Sequence, residues 1–174
     1  MVYTKYKFTP WDIARYLIIL NSSRSRENEI ISDFFQNYNN EIVWDYRKDF
    51  NKFRNEVYNS MIILSARPYE QAEIQKTLKD LKIKTNDYKL DKYGTYFKLK
   101  KLKILYSEKS YCSINLEIMI NELGYKRRNS ILIENILRAV NALHLQFYLK
   151  QYTPCDIARI KLNQTVIIRV SDIY

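Results

Sequence analysis

The one histidine of the chain, His144, follows Arg138 by six positions. An imidazole can move a proton near neutral pH and a guanidinium can stabilise a phosphoryl transition state, so the pair would suit cleavage of an RNA phosphodiester. On an ideal helix six residues turn through about 600°, leaving the two side chains roughly 120° apart, so they would meet only at a helix break or across a dimer. A second set is cationic. Lys126, Arg127 and Arg128 follow Gly124 and precede Asn129, and Lys89, Lys92, Lys98, Lys100, Lys101 and Lys103 crowd the stretch before them. Clustered cations gain free energy by releasing counterions from a phosphate backbone, and an asparagine beside them can add a polar contact. A third set is Asp87-Tyr88-Lys89 with Asp80 upstream, an acid-x-Lys pattern that could serve a metal-dependent nuclease. Cys112 and Cys155 are the only cysteines and no Cys/His cluster exists, so no structural zinc is expected. A glycine-rich phosphate loop and a Ser/His/Asp set are also missing, and no cofactor is expected.

These residues must be held by mainly helical elements, because the 174 residues include only two glycines and three prolines. Thr9, Pro10 and Asp12 form a helix start, with Phe8 and Ile13 at the positions of a hydrophobic staple, and the helix runs to Leu20. Periodicity predicts a helix over 27–37 and a longer one over 41–64. Pro68 marks a boundary, and a further helix is expected over 69–81. Phe97 and Leu99 alternate with Tyr96, Lys98 and Lys100, which predicts a basic β-hairpin turning near Gly94. Ser113 is expected to cap a helix that Gly124 ends, and Asn129 or Ser130 to cap the next. A helical segment from Pro154 and a strand over 165–170 complete the reading. Tyr152 to Arg159 matches Phe8 to Arg15 at six of eight positions. That would make Arg15 and Arg159 equivalents in a duplicated module, although shared helix-start chemistry explains the same residues.

The net charge of +10 points to phosphate polymers, anionic surfaces or an acidic protein partner. Lys, Asn, Ile and Tyr are all raised by AT-rich codons, so the sixteen tyrosines prove little alone. Tyr88, Tyr93, Tyr96 and Tyr106 among the lysines could still stack on unpaired bases. The N-terminus has no signal-peptide pattern, and Tyr16–Leu20 is too short to span a bilayer. The expectation is a reduced, soluble, cytoplasmic protein with no membrane partner.

Helix, the turn Gly124-Tyr125-Lys126-Arg127-Arg128-Asn129-Ser130, helix, then a strand-bearing tail resembles helix-turn-helix and winged-helix DNA-binding modules over about residues 112–170. The resemblance implies that the helix from Asn129 approaches a groove while Lys126, Arg127 and Arg128 contact phosphates. Against it, the apolar stretch 132–145 leaves few side chains for reading bases. The Arg138/His144 spacing is similar to that of the HEPN ribonucleases, which implies an all-α nuclease, but Ala139 stands where that family usually has a polar residue. Asp87-Tyr88-Lys89 resembles part of a restriction-enzyme-type nuclease motif. The sequence therefore predicts a mainly α protein with a small β component, a basic β-hairpin and a winged-helix-like C-terminal part. Its parts are 1–66, helical, and 67–174, winged-helix-like and basic, forming one compact unit. The expected function is non-catalytic binding of nucleic acid, DNA more than RNA, through Lys89, Lys92, Lys98, Lys100, Lys101, Lys103, Lys126, Arg127, Arg128 and Asn129. The alternatives are a phage- or defence-associated interaction protein (an inhibitor or accessory subunit of a nucleic-acid enzyme) and a HEPN-like ribonuclease using Arg138 and His144.

Overall fold

The computed structural model describes residues 4–65 and 91–171. The chain divides into two compact units, Met1–Lys89 and Leu90–Tyr174, a division later than the 66/67 boundary expected from Pro68. The helix expected over 69–81, the start of the expected hairpin, and Asp80, Asp87, Tyr88 and Lys89 lie outside the described residues.

In the N-terminal unit the helix-start signal works as chemistry. The Thr9 hydroxyl accepts the Asp12 N–H at 3.4 Å, and the Asp12 carboxylate accepts the Thr9 N–H at 2.8 Å, with Pro10 in the first turn. This reciprocal cap satisfies donors a helix leaves bare and starts α1, Pro10–Leu20. Asn21 closes it at φ 50°. Ser23 caps α2, Arg24–Asn37, three residues ahead of the expected start. The long helix expected over 41–64 is shorter: 3-10 turns occupy Asn39–Glu41 and Trp44–Tyr46, and α3 runs Phe50–Ser65. Between the turns, Ile42 pairs with Phe8 in a parallel bridge, the Phe8 N–H donating to Glu41 O and the Val43 N–H to Phe8 O. The β-branched pair Ile42-Val43 favours this extended path over a helix. Phe8, Ile13, Leu17, Ile30, Phe34, Ile42, Phe53 and Val57 form the core, where α1 and α2 pack on α3. Phe8 meets Phe34 edge to face with centroids 4.8 Å apart.

The C-terminal unit begins with a correction. Residues Lys92–Tyr106 form one α-helix, α4, and the basic hairpin around Gly94 does not form. Asp91 caps the helix by accepting the Gly94 N–H at 3.1 Å. Tyr93, Phe97, Lys101 and Ile104 follow helical spacing and are all buried. A lysine at an inward position broke the apolar stripe and left the pattern reading as strand alternation. Strand β1, Cys112–Asn115, comes next, so Ser113 is in a strand and Asn115 caps α5, Leu116–Glu122. Then follow α6, Ser130–Ala142, β2, Leu145–Tyr148, and β3, Thr165–Val170. The sheet is antiparallel with order β1-β3-β2. Phe97, Leu116, Ile120, Ile136, Val140, Phe147, Val166 and Ile168 fill the interior.

No helix starts at Pro154. Gln151 and Tyr152 take left-handed backbone at φ 63° and 59°, Pro154 bridges to Tyr148, and Asp156 accepts the Ala158 N–H in a turn. Its look-alike Pro10 opens α1, Arg15 is buried, and Arg159 is 88% exposed and paired with Asp156, so the repeated octapeptide is not a repeated module. The fold is mainly helical with one small sheet. Among the described residues no helix is long and apolar enough to cross a membrane.

Candidate nucleic-acid interface

Gly124 sets the turn between α5 and α6. At φ +91° it reverses the chain while its N–H donates to Asn121 O and the Tyr125 N–H donates to Ile120 O, the paired bonds of a glycine-closed helix end. Asn129 caps α6 by accepting the Leu132 N–H at 2.9 Å. Between the two helix ends Leu123 is buried and Lys126 and Arg127 are exposed.

Arg128 does something else. It is half-buried, and one terminal nitrogen donates to Ile157 O at 2.9 Å and to Ile160 O at 2.5 Å. The guanidinium thereby ties the β2–β3 connection to the first turn of α6, where Arg128, Asn129, Ser130, Ile133, Glu134, Leu137 and Ala158 line a mostly apolar groove. The 157–160 backbone therefore lies within reach of the side chain that follows Lys126 and Arg127, and Arg159 and Lys161 in and beside it are exposed.

The N-terminus of α4 joins the turn. The Lys92 ammonium is 4.1 Å from the centre of the Tyr125 ring, and the Tyr93 hydroxyl donates to the Tyr125 hydroxyl at 2.8 Å. Burial, helped by that bond, pushes the Tyr93 phenol up to about 12, whereas the bonds from Tyr93 and Lys92 hold the half-exposed Tyr125 phenol below its ordinary value. Lys92, Tyr125, Lys126 and Arg127 are therefore a cationic and aromatic cluster drawn from two elements.

The other predicted lysines divide. Lys98 and Lys101 are 1% and 0% exposed and do not form a surface for phosphate. Lys101 Nζ donates to Leu143 O at 2.7 Å, placing its charge at the carbonyl end of α6, where a helix dipole favours a cation. Lys100 is half-exposed and lies 5.0 Å from the Tyr96 ring, and Lys103 is exposed. Lys150, Arg159 and Lys161 were not among the expected phosphate contacts. Basic residues between two β-like runs, Leu145–Tyr148 and Thr165–Val170, were the available signal.

Arg138 is on the exposed face of α6 and pairs with Glu134 at 2.8 Å. His144 lies past the helix in a left-handed turn at φ 55°, its N–H donating to Asn141 O and its carbonyl accepting from Ser171. The two therefore belong to different elements. Cys112 and Cys155 are free thiols, and burial raises the Cys155 thiol. Among the described residues no group of three or more His, Cys, Asp or Glu could hold a metal.

Charge follows the same division. Residues Leu90–Tyr174 contain fourteen Lys and Arg against seven Asp and Glu, a net of +7, and Met1–Lys89 contains fifteen against twelve. No family model, curated protein or solved structure matches the chain.

Proposed function

We propose that the C-terminal unit is a non-catalytic, winged-helix-like module that holds duplex nucleic acid, DNA in preference to RNA, mainly through backbone phosphates. The observation that supports it most is the Arg128 tie, which brings the 157–160 backbone to the turn that carries the exposed Lys126 and Arg127, in a unit of net charge +7. Helix, turn, helix and a two-stranded ribbon is the order the winged-helix comparison implies, with β2 and β3 as the ribbon in place of the hairpin once expected around Gly94. The N-terminus of α6 then faces the groove. Its exposed face has Glu134 and Arg138 neutralising one another, so base reading is weak and phosphate contacts dominate.

Fluorescence anisotropy with duplex DNA, single-stranded DNA and RNA across a salt series tests this. Binding to duplex should weaken steeply with salt. Changing Lys126 and Arg127 together to Ala should lower the slope by about 1.8, at roughly 0.9 per phosphate contact. An unchanged slope, or no binding near physiological salt, would sink the reading.

A second reading, a small interaction protein that occupies a nucleic-acid enzyme, is favoured by two features of α6: Ile131, 71% exposed, and the mostly apolar groove that Ile133, Leu137 and Ala158 line. It calls for tight protein binding that Ile131→Asp abolishes, with no affinity for free nucleic acid. The ribonuclease reading requires RNA cleavage that His144→Ala stops.

A further inference from the structure

In the N-terminal unit, α2 and α3 border an open groove of about 490 Å3 lined by Arg24, Asn28, Arg54, Asn55, Tyr58 and Asn59. Every one of these side chains can donate a hydrogen bond and none is acidic. The absence of acids is selective, because Asp and Glu nearly balance Lys and Arg in the chain outside 91–171. The groove is also preorganised. The Arg24 guanidinium lies 3.5 Å from the centre of the Tyr58 ring, and the Tyr58 hydroxyl donates to Asn28 Oδ1 at 2.7 Å, fixing the ring beneath the cation. Arg54, one helical turn before Tyr58, reaches Asn51 Oδ1 at 3.4 Å and lies 5.6 Å from the Phe50 ring. Among the described residues neither Arg24 nor Arg54 is paired with a carboxylate. Glu27, whose charge reaches Tyr58, is buried and does not line the groove.

We infer that this groove binds phosphate groups of a nucleic-acid strand, Arg24 and Arg54 each engaging one phosphate and the three carboxamides contacting the strand between. Two guanidinium forks on separate helices suit bidentate contacts to phosphate oxygens, which a compact ammonium cannot make. The ligand class rests on the reading of the C-terminal unit, but the residues belong wholly to the other unit.

The test uses the full chain with its arginine Nε–Hε groups followed by NMR. A short oligothymidine strand is the probe, with inorganic phosphate and thymidine monophosphate as comparison probes. The Arg24 and Arg54 signals should shift with the strand, both in the wild type and in the Lys126→Ala/Arg127→Ala variant. Arg24→Gln with Arg54→Gln should lower the salt slope of strand binding by about 1.4, at roughly 0.7 per phosphate on a single strand. Signals that stay fixed at saturating strand would overturn the inference, as would shifts with phosphate or the monophosphate but none with the strand. Should the C-terminal variant leave duplex binding unchanged while the Arg24 and Arg54 signals still move with the strand, the C-terminal reading fails and this one stands. The wild-type spectra decide the matter even where the double variant does not fold.

Discussion

Replacing Arg128 with Ala separates holding the fold from holding phosphate. One guanidinium nitrogen donates to two backbone carbonyls, Ile157 O and Ile160 O. A hydrogen bond from a charged donor contributes about 1.5–3 kcal/mol net where water is excluded. Arg128 and Ile160 are half-buried, so water can replace the lost donor at Ile160 O, whereas Ile157 is buried. One unreplaced bond sets the loss, and Arg128→Ala should cost about 2 kcal/mol. For a unit of this size that is a fall in Tm of about 8–16 °C. Both tryptophans, Trp11 and Trp44, lie in the other unit. The readout should therefore be hydrogen exchange at the β3 amides, with urea unfolding followed by tyrosine circular dichroism. Because a single nitrogen makes both bonds, a lysine ammonium with its three N–H donors can supply them too, so Arg128→Lys should recover part of the loss. A cost below about 0.5 kcal/mol, together with a salt slope lowered by about 0.9, would refute the reasoning and make Arg128 a phosphate contact.

Gly124→Ala should cost the C-terminal unit about 1–2 kcal/mol in a urea melt, because φ is +91° and no neighbouring atom lies within 4 Å of a new Cβ, which leaves only backbone strain. Thr9→Ala should cost about 1–2 kcal/mol through loss of the α1 cap, whereas Thr153→Ala in the look-alike octapeptide should stay within about 0.5 kcal/mol, since no helix is capped there. The buried Tyr96 phenol donates to the Glu122 carboxylate, and burial followed by that bond raises its pKa above 10.0. The fold favours the neutral phenol, so its contribution is whole below pH 10 and is lost as pH rises toward the raised value. Urea midpoints taken from about pH 9 to 11 should therefore fall less steeply in Tyr96→Phe than in the wild type.

The sequence was most legible where local chemistry decides the backbone. The Thr9–Asp12 cap, Gly124, Asn129 and the 165–170 strand are all where their residue types place them. It was least legible where tertiary packing overrode a local signal. Lys98 and Lys101 face inward, so α4 gave no clean apolar stripe and its lysines read as surface. Asp91, three residues before Gly94, was the missed cap. Thr153-Pro154 has every local mark of a helix start, but the chain there is spent on a left-handed turn and a bridge to Tyr148. Strand β2 was hidden because Leu145 continues the apolar run of α6, and its pairing to β3 is a long-range fact. At the proposed interface, Lys126 and Arg127 are exposed, as phosphate contacts would have to be. That Arg128 turns inward to the 157–160 backbone depends on two carbonyls remote in sequence.

The sheet order has a consequence for how the unit is made. Strands β1 and β2 do not pair with each other; each finds its partner only in β3, Cys112 opposite Ile168 and Leu145 opposite Val170. As the chain leaves the ribosome, two strands emerge with unsatisfied edges and must wait for residues 165–170. Over that interval the nascent unit has helices but no sheet, and its bare strands can pair with those of a neighbouring nascent chain. The lysines and arginines gathered in this part of the chain repel such a neighbour, so the same charge proposed to hold a phosphate backbone also protects the unit during its own synthesis.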